Sequence, residues 1–111
     1  MGFVKNEKEI PFSEVEEKGA KGVRIKVLID GPHFVMRMFE VEPGGHTPFH
    51  SHRWEHEVYV LEGSGKVTIE KEIFPIEKGS VVLVESQEKH QFVNSGKTPL
   101  KFLCLIPKNN P

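Results

Sequence analysis

Four of the six histidines in the chain have a spacing that suits a single metal ion. His50, His52 and His56 are separated by one and three residues, and His90 follows later in the sequence. Residues two apart on a β-strand project to the same face with Cα atoms about 6.6 Å apart, so His50 and His52 can converge on one ion. Imidazole is a common protein ligand of transition metals. Histidines clustered this closely favour a metal site over unrelated surface positions.

The remaining two histidines are predicted to lie outside this group. On an extended strand, His46 would be about 13 Å from His50, which is too far for the two side chains to share an ion. His33 follows the pair Gly31-Pro32 and is therefore predicted to lie in a turn.

Alternating apolar residues predict the strands that must position the histidines. In the first strand Val23, Ile25, Val27 and Ile29 alternate with other residues, as in a strand with one buried face. Turn signals rich in Gly and Pro separate the segments, and no helical periodicity lies between them. The predicted strands cover residues 23–29, 34–42, 47–51, 56–61, 66–70, 73–77, 80–84, 90–94 and 100–106. Together they predict an all-β sandwich or barrel.

The length of 111 residues suits one domain. We predict an N-terminal arm over residues 1–20, a β-barrel domain over residues 21–107 and a C-terminal tail over residues 108–111. Within the arm, residues 11–17 could form one helical turn capped by Ser13.

The region around the first three histidines resembles the first sequence motif of the cupin superfamily. That motif, G-x5-H-x-H-x3(or 4)-E-x6-G, is matched at Gly44, His50, His52 and Gly63, with His56 where the family usually has Glu.

The region around His90 resembles the second cupin motif, G-x5-P-x-G-x2-H-x3-N. Gly79, His90 and Asn94 match it, whereas Glu85 and Gln87 replace the usual Pro and Gly. The two resemblances imply a single-domain cupin β-barrel, the jelly roll or double-stranded β-helix.

The chain is also similar to a subgroup of small microbial cupins with an all-histidine site, which are typically homodimers that bind manganese or a similar ion. The resemblance implies one divalent transition metal per chain, with Mn as the first candidate and Fe, Cu, Ni or Zn as alternatives. The ligand set that it implies is His50, His52, His56 and His90.

Two carboxylates are alternatives to His56 as the fourth ligand. Glu57 fits the longer spacer that the first motif tolerates, and Glu55 is a more distant candidate. The register to Gly63 favours His56, because six residues separate position 56 from that glycine in the motif and Glu57 leaves only five. Either glutamate is then expected to face away or to orient an imidazole from outside.

Several residues are predicted to line a pocket beside the ion. The side chains concerned are Trp54, Phe92, Phe102, Cys104 and Ile106. Cys104 is expected to act as a small hydrophobic residue rather than a nucleophile.

Arg37 is the candidate anchor for a substrate. It shares strand parity with Val35 and Phe39, and an inward arginine near a cation needs an anion between them, such as a carboxylate or enolate. The alternative is a surface Arg37 with Met36 and Met38 inside.

Composition gives little support for nucleic-acid or membrane partners. The formal net charge is −1, and the apolar stretches are far shorter than the roughly 20 residues that span a bilayer. We therefore expect a cytoplasmic protein, which agrees with its single cysteine.

Asp30 is the only aspartate, and the resulting bias toward Glu and Lys is typical of thermophilic proteins. Residues 80–84 are apolar on both strand faces, which favours burial or a subunit interface and agrees with a homodimer.

Three functions follow from an open metal site in a pocket. The first is an oxygenase or oxidoreductase whose ion binds a small oxygen-bearing molecule and dioxygen. The second is an isomerase or lyase that uses Lewis acidity alone. The third is a module that binds a small molecule or a metal without catalysis.

Overall fold

The structure is a computed structural model and describes residues 2–108. Within that range it contains nine strands and one 3-10 turn at Glu7–Glu9. The strands are β1 (Ser13–Glu14), β2 (Lys21–Asp30), β3 (Phe34–His46), β4 (His56–Glu62), β5 (Ser64–Ile69), β6 (Glu72–Glu77), β7 (Val81–Val84), β8 (His90–Val93) and β9 (Leu100–Pro107). The prediction of an all-β fold is confirmed.

The strands form one curled antiparallel sheet. Its order is β6-β5-β8-β3-β9-β4-β7, and β2 pairs with β3 while β1 pairs with β2. Apart from β5 and β6, neighbours along this order are not consecutive in sequence, and β3 lies between β8 and β9. This crossing brings β8, which begins with His90, beside the segment that carries His50.

The core fills the inside of the curled sheet. Alternate residues of β9 are buried, so Leu100, Phe102 and Cys104 point inward while Lys101 and Leu103 point outward. The ring of Phe102 stacks on Phe92 at 4.5 Å and on Phe39 at 5.3 Å between centroids. This aromatic stack forms the floor of the space in which the histidines meet.

One predicted strand, residues 47–51, is wrong. In the structure this segment is irregular and makes a single β-bridge, between His50 and His90. Thr47 N–H donates to the Phe92 carbonyl at 2.9 Å, and the next backbone hydrogen bonds to β8 are those between His50 and His90. The segment has one extra residue between the pairs His46–Val93 and His50–His90, so the regular pairing is interrupted and resumes for one bridge only.

The N-terminal arm pairs with β2 instead of forming a helical turn at Ser13. β1 pairs Ser13 with Ile25, and the 3-10 turn lies earlier and is capped by Asn6. The ring of Phe12 lies 4.4 Å from Lys26 Nζ and 4.5 Å from the guanidinium carbon of Arg24. These cation–π contacts hold the arm in an extended path that a helical turn would not allow.

In the described part of the chain, no helix is both long enough and apolar enough to cross a membrane.

Candidate metal centre

Three of the predicted ligands meet at one point. Ring nitrogens of His50, His52 and His90 lie within 4.8 Å of one another. His90 is the first residue of β8, and the bridge fixes its backbone to that of His50 through reciprocal hydrogen bonds of 2.9 and 3.1 Å. The centroids of the His50 and His52 rings are 4.2 Å apart, and those of His50 and His90 are 5.1 Å apart. The histidines thus converge through one bridge rather than along a regular strand.

His56 lies beside this cluster at the start of β4. Its ring is 4.9 Å from that of His90 and 5.1 Å from that of His52, and the residue is 5% exposed. Its Nδ1 lies 3.2 Å from Cys104 Sγ and 3.4 Å from Arg37 Nη2. Its Nε2 is buried and has no hydrogen-bond partner among the described residues.

The buried Nε2 of His56, which has no hydrogen-bond partner among the described residues, bears on whether the site suits a metal. A buried polar atom without a partner costs about 1–3 kcal/mol, and a cation among the four rings would remove that cost by accepting the Nε2 lone pair. If Nδ1 donates to Cys104 Sγ, Nε2 is the free ligand atom. The cluster of His50, His52 and His90 therefore fits a divalent metal ion, and His56 Nε2 is a further buried nitrogen beside it that has no hydrogen-bond partner among the described residues.

The two alternative carboxylate ligands face away from the cluster. Glu55 and Glu57 are both exposed. Glu57 follows His56 on β4, so its side chain points to the opposite face of the sheet. The structure thus places His56, and neither glutamate, beside the three-histidine cluster.

Burial keeps the imidazoles of His52, His56 and His90 neutral. Burial, together with the neighbouring His50 and His90, lowers the pKa of His52 to about 4. Burial likewise lowers the pKa of His56 to about 3, with further contributions from His90 and Arg37, and it lowers the pKa of His90. A neutral imidazole is the form that binds a metal. At pH 7 these three imidazoles are therefore in the form that binds a cation.

A cavity of about 410 Å³ opens onto the four histidines. One part of its wall is polar, where Arg37 and Trp54 lie beside the cluster. The rest is apolar and comes mainly from Val15, Val23, Ile25, Phe39, Phe92 and Phe102. Such a cavity suits a small molecule with an apolar body and a polar end.

Four of the predicted pocket residues line this cavity, and one does not. Trp54, Phe92, Phe102 and Cys104 lie in its wall. Trp54 stacks on His52 with the ring planes 5° apart. Ile106 lies in a separate groove with Phe34 and Glu55, because that groove forms where β9 ends.

Arg37 occupies the inward position that strand parity suggested. Its Nη2 donates to Cys104 Sγ at 3.1 Å, and its Nε is buried without a partner in the described part of the chain. Met36 and Met38 project from the other face of β3. Because burial raises the pKa of the Cys104 thiol, that side chain stays protonated.

The turn before His90 keeps a conformation that glycine favours. Gln87, at the position where the second motif usually has Gly, has a positive φ of 70°. Its N–H donates to the His52 carbonyl at 2.7 Å, and Ser86 Oγ donates to the Arg53 carbonyl at 2.6 Å. Despite the two departures from the motif, this turn therefore holds the backbone of His52 and Arg53 in place through hydrogen bonds.

Sequence reasoning missed the part of the site that the N-terminal arm supplies, where Val15, Glu16 and Glu17 line the cavity. Glu17, on the N-terminal arm, places Oε2 3.0 Å from His50 Nδ1. Its distance in sequence from the histidines gives no spacing signal, and the arm lacks a strand pattern that would have predicted its path.

The chain matches one known protein family in sequence and solved structures of similar proteins in fold. The family described as "Cupin domain" matches residues 37–106. Among solved structures, the polyketide cyclase RemF from Streptomyces resistomycificus superposes with a TM-score of 0.90 at 33% identity, over 100% of this chain and 82% of that one. This similarity confirms the predicted jelly-roll barrel.

Two curated relatives have different functions. An oxalate-binding protein from Thermotoga maritima is 32% identical over 95% of this chain and 93% of its own length. The 1-methylthio-D-xylulose 5-phosphate methylsulfurylase from Rhodospirillum rubrum is 29% identical over 87% of this chain. The chain spans 64% of that enzyme and 52% of another curated relative, so both are longer proteins.

Proposed function

Since the chain belongs to the cupin family, we propose that it is a metal-dependent enzyme that binds a small oxygen-bearing molecule beside four histidines. The observation that carries this proposal is the convergence of His50, His52 and His90 at one end of a largely apolar cavity. The buried Nε2 of His56 supports its role as the fourth donor. A divalent ion held by four neutral imidazoles would supply strong Lewis acidity and open coordination positions.

The residues around the cluster indicate what the ligand looks like. Arg37 would pair with a carboxylate or enolate, because its guanidinium is buried beside a cationic centre and its Nε lacks a partner among the described residues. Phe39, Phe92 and Phe102 would cover the apolar body of the ligand and exclude water. We therefore propose a small acid or enolisable carbonyl compound with an apolar part.

Two reactions are compatible with this arrangement. The first is an oxygenase or oxidoreductase reaction in which the ligand and dioxygen share the site. The second is a reaction that needs Lewis acidity alone, and the similarity to a polyketide cyclase over the whole chain favours it. Among the candidate ions we propose manganese first, on the resemblance to the all-histidine subgroup.

Metal binding is the first test. Protein stripped with a chelator is titrated with Mn²⁺, Fe²⁺, Co²⁺, Ni²⁺, Cu²⁺ and Zn²⁺ in a calorimeter. We expect one ion per chain, with an affinity that falls more than about tenfold in His90→Gln, since even the loss of a residue that only orients a metal-bound histidine costs about 10–100-fold. His33→Gln, at an exposed turn residue, is the control and should bind as the wild type does. Failure of all six ions to bind stoichiometrically would overturn the proposal.

The reaction is tested with the metal-loaded protein and a panel of catechols, enediols and 1,3-diketones. Oxygen uptake that depends on substrate would support an oxygenase. Turnover that persists without oxygen would support the Lewis-acid reaction. Binding followed by complete recovery of unchanged ligand across the panel would contradict an enzymatic role and favour a binding module.

We also propose a homodimer in the cytoplasm. The support is the outward face of β7, where Val81 is 75% exposed and Leu83 is 52% exposed in the single chain. Large apolar side chains that adjoin on one face of a sheet mark interaction surfaces.

A further inference from the structure

We propose that Glu17 is a positioning residue that fixes the orientation and tautomer of His50 from the N-terminal arm. The inference rests on the proposed metal-binding function, since it concerns how one ligand is held. It assigns to the arm a part in the metal centre that the sequence motifs, which begin at Gly44, do not contain.

The contact between the two side chains determines the tautomer of His50. Glu17 Oε2 lies 3.0 Å from His50 Nδ1. An ionised carboxylate only accepts hydrogen bonds, so Nδ1 must carry the proton and Nε2 keeps its lone pair. His90 follows the same pattern, because its Nδ1 lies 3.0 Å from the carbonyl oxygen of Glu88. Both rings are thus held with Nε2 as the ligand atom.

Glu17 differs from the other partners because it brings a negative charge. Four imidazoles leave the charge of a divalent ion uncompensated, and none of the partners at the other Nδ1 atoms is an anion: His56 contacts the Cys104 thiol and the Arg37 guanidinium, and His90 contacts a backbone carbonyl. A carboxylate one imidazole away from the ion raises the basicity of that ligand and offsets part of the charge. We therefore expect Glu17 to strengthen metal binding as well as to orient His50.

The arm holds Glu17 in place through contacts on β2. Lys26 is 6% exposed, and its Nζ donates to the Glu7 carboxylate at 2.6 Å and to the carbonyls of Glu7 and Ile10 at 2.8 and 3.1 Å. Nearer the site, Val15 N–H donates to the Val23 carbonyl at 2.9 Å. A buried ammonium needs such partners, so this attachment is expected to be stable.

These contacts connect the arm to the metal centre. Val15 lines the apolar part of the cavity, and Glu17 contacts His50 two residues later. The arm therefore forms one wall of the site, and a bound ion should in turn protect the arm from release.

The test compares Glu17→Ala and Glu17→Gln with Glu14→Gln. Glu14 is an exposed glutamate on the same arm that lies outside the cavity, so its substitution is the matched control. In metal-free protein at pH 8, ¹⁵N chemical shifts of the histidine rings report the tautomer of His50. We expect the Nδ1–H form to dominate in the wild type and in Glu14→Gln, and to lose that dominance in Glu17→Ala.

Affinity for Mn²⁺ and Zn²⁺ gives the second readout. Glu17→Ala should weaken binding about 10–100-fold, as for other outer partners of metal-bound histidines, and Glu14→Gln should not. Glu17→Gln retains a hydrogen-bond acceptor without the negative charge, so its loss of metal affinity should be smaller than that of Glu17→Ala. If Glu17→Ala binds both ions as tightly as the wild type does, the claim that Glu17 strengthens metal binding is wrong.

The two readouts separate this inference from the proposed function. If the tautomer of His50 is the same in Glu17→Ala as in the wild type, the positioning role is wrong whether or not the protein binds metal. If the tautomer changes but the wild type binds no ion, the positioning role stands and the metal-dependent function is wrong.

Discussion

At the scale of single residues, the depressed pKa values of the site histidines make stability depend on pH. In the unfolded chain a histidine has a pKa of about 6.5. In the folded protein burial lowers the pKa to about 4 for His52 and to about 3 for His56. Protons therefore bind the unfolded state more readily, and stability increases with pH through this range. The stabilisation is fully present above about pH 6.5 and is lost as the pH falls toward 4 and then 3.

Urea unfolding of the metal-free protein tests this dependence. Between pH 7 and pH 5 we expect the free energy of unfolding to fall by on the order of 2 kcal/mol from His56, since one pKa unit corresponds to about 1.4 kcal/mol, with a smaller contribution from His52, which solvent screens more. A double variant, His52→Gln with His56→Gln, should show a flatter pH dependence. An equal slope in the wild type and the double variant would assign the effect to other groups.

At the same scale, the sequence predicted which histidines meet, but it did not predict every residue that contacts them. His50, His52 and His90 lie together as their spacing suggested. Glu17 could not be predicted, because its approach to His50 depends on the path of the arm along β2 and not on local spacing. Gln87 illustrates a different limit: the motif departure raised a question about the turn, and only the backbone shows that Gln adopts the positive φ.

At the scale of the elements, Asn94 joins the end of β8 to the loops beside it. It is 1% exposed, and its Nδ2 donates to the carbonyls of Val41 and Thr98, each at 2.8 Å. Its Oδ1 accepts from Gly96 N–H at 2.9 Å, and its backbone exchanges hydrogen bonds of 3.0 Å with Gly44 and Gly45. The last residue of the second motif therefore acts structurally, by closing the barrel near the beginning of the first motif.

Asn94→Ala should destabilise the protein by about 2–4 kcal/mol, because it removes three hydrogen bonds and leaves buried carbonyls without partners. The measurement is chemical unfolding with metal removed, so that binding does not contribute. Ser95→Ala, at the exposed neighbouring residue, should change stability by less than about 0.5 kcal/mol. Equal effects of the two substitutions would contradict this structural role.

Strand prediction succeeded where alternation was regular and failed where local chemistry interrupted it. β2, β4 and β9 were predicted within a few residues of their ends, because each has a repeating apolar face. Residues 47–51 have no regular alternation, and an extra residue interrupts their pairing with β8, so they form one bridge instead of a strand. The short β1 has no pattern of its own and is specified by contacts of Phe12 with Lys26 and Arg24. Tertiary contacts, not local propensity, place the arm.

At the scale of the whole molecule, one outer face of the barrel is apolar in a way that a single chain does not explain. Tyr59 on β4 pairs with Val81 on β7, and both are exposed, at 48% and 75%. Leu83 lies on the same face at 52% exposure, and the outward residues Leu103 and Leu105 of β9 continue it as half-buried side chains. Burial of such a face against a second copy would remove apolar surface from water at roughly 25 cal/mol per Å².

Sedimentation equilibrium should therefore give a mass of twice 12.6 kDa at micromolar concentration. Leu83→Glu places a charge at the centre of the face and, in a symmetric dimer, brings two like charges together, so it should shift the equilibrium toward monomer by about tenfold or more. Val4→Glu is the matched control, because Val4 is 98% exposed and lies on the arm, outside this face. Circular dichroism checks that both variants remain folded. A wild-type mass of one chain, or a dimer equally strong in Leu83→Glu, would show that another contact covers the face.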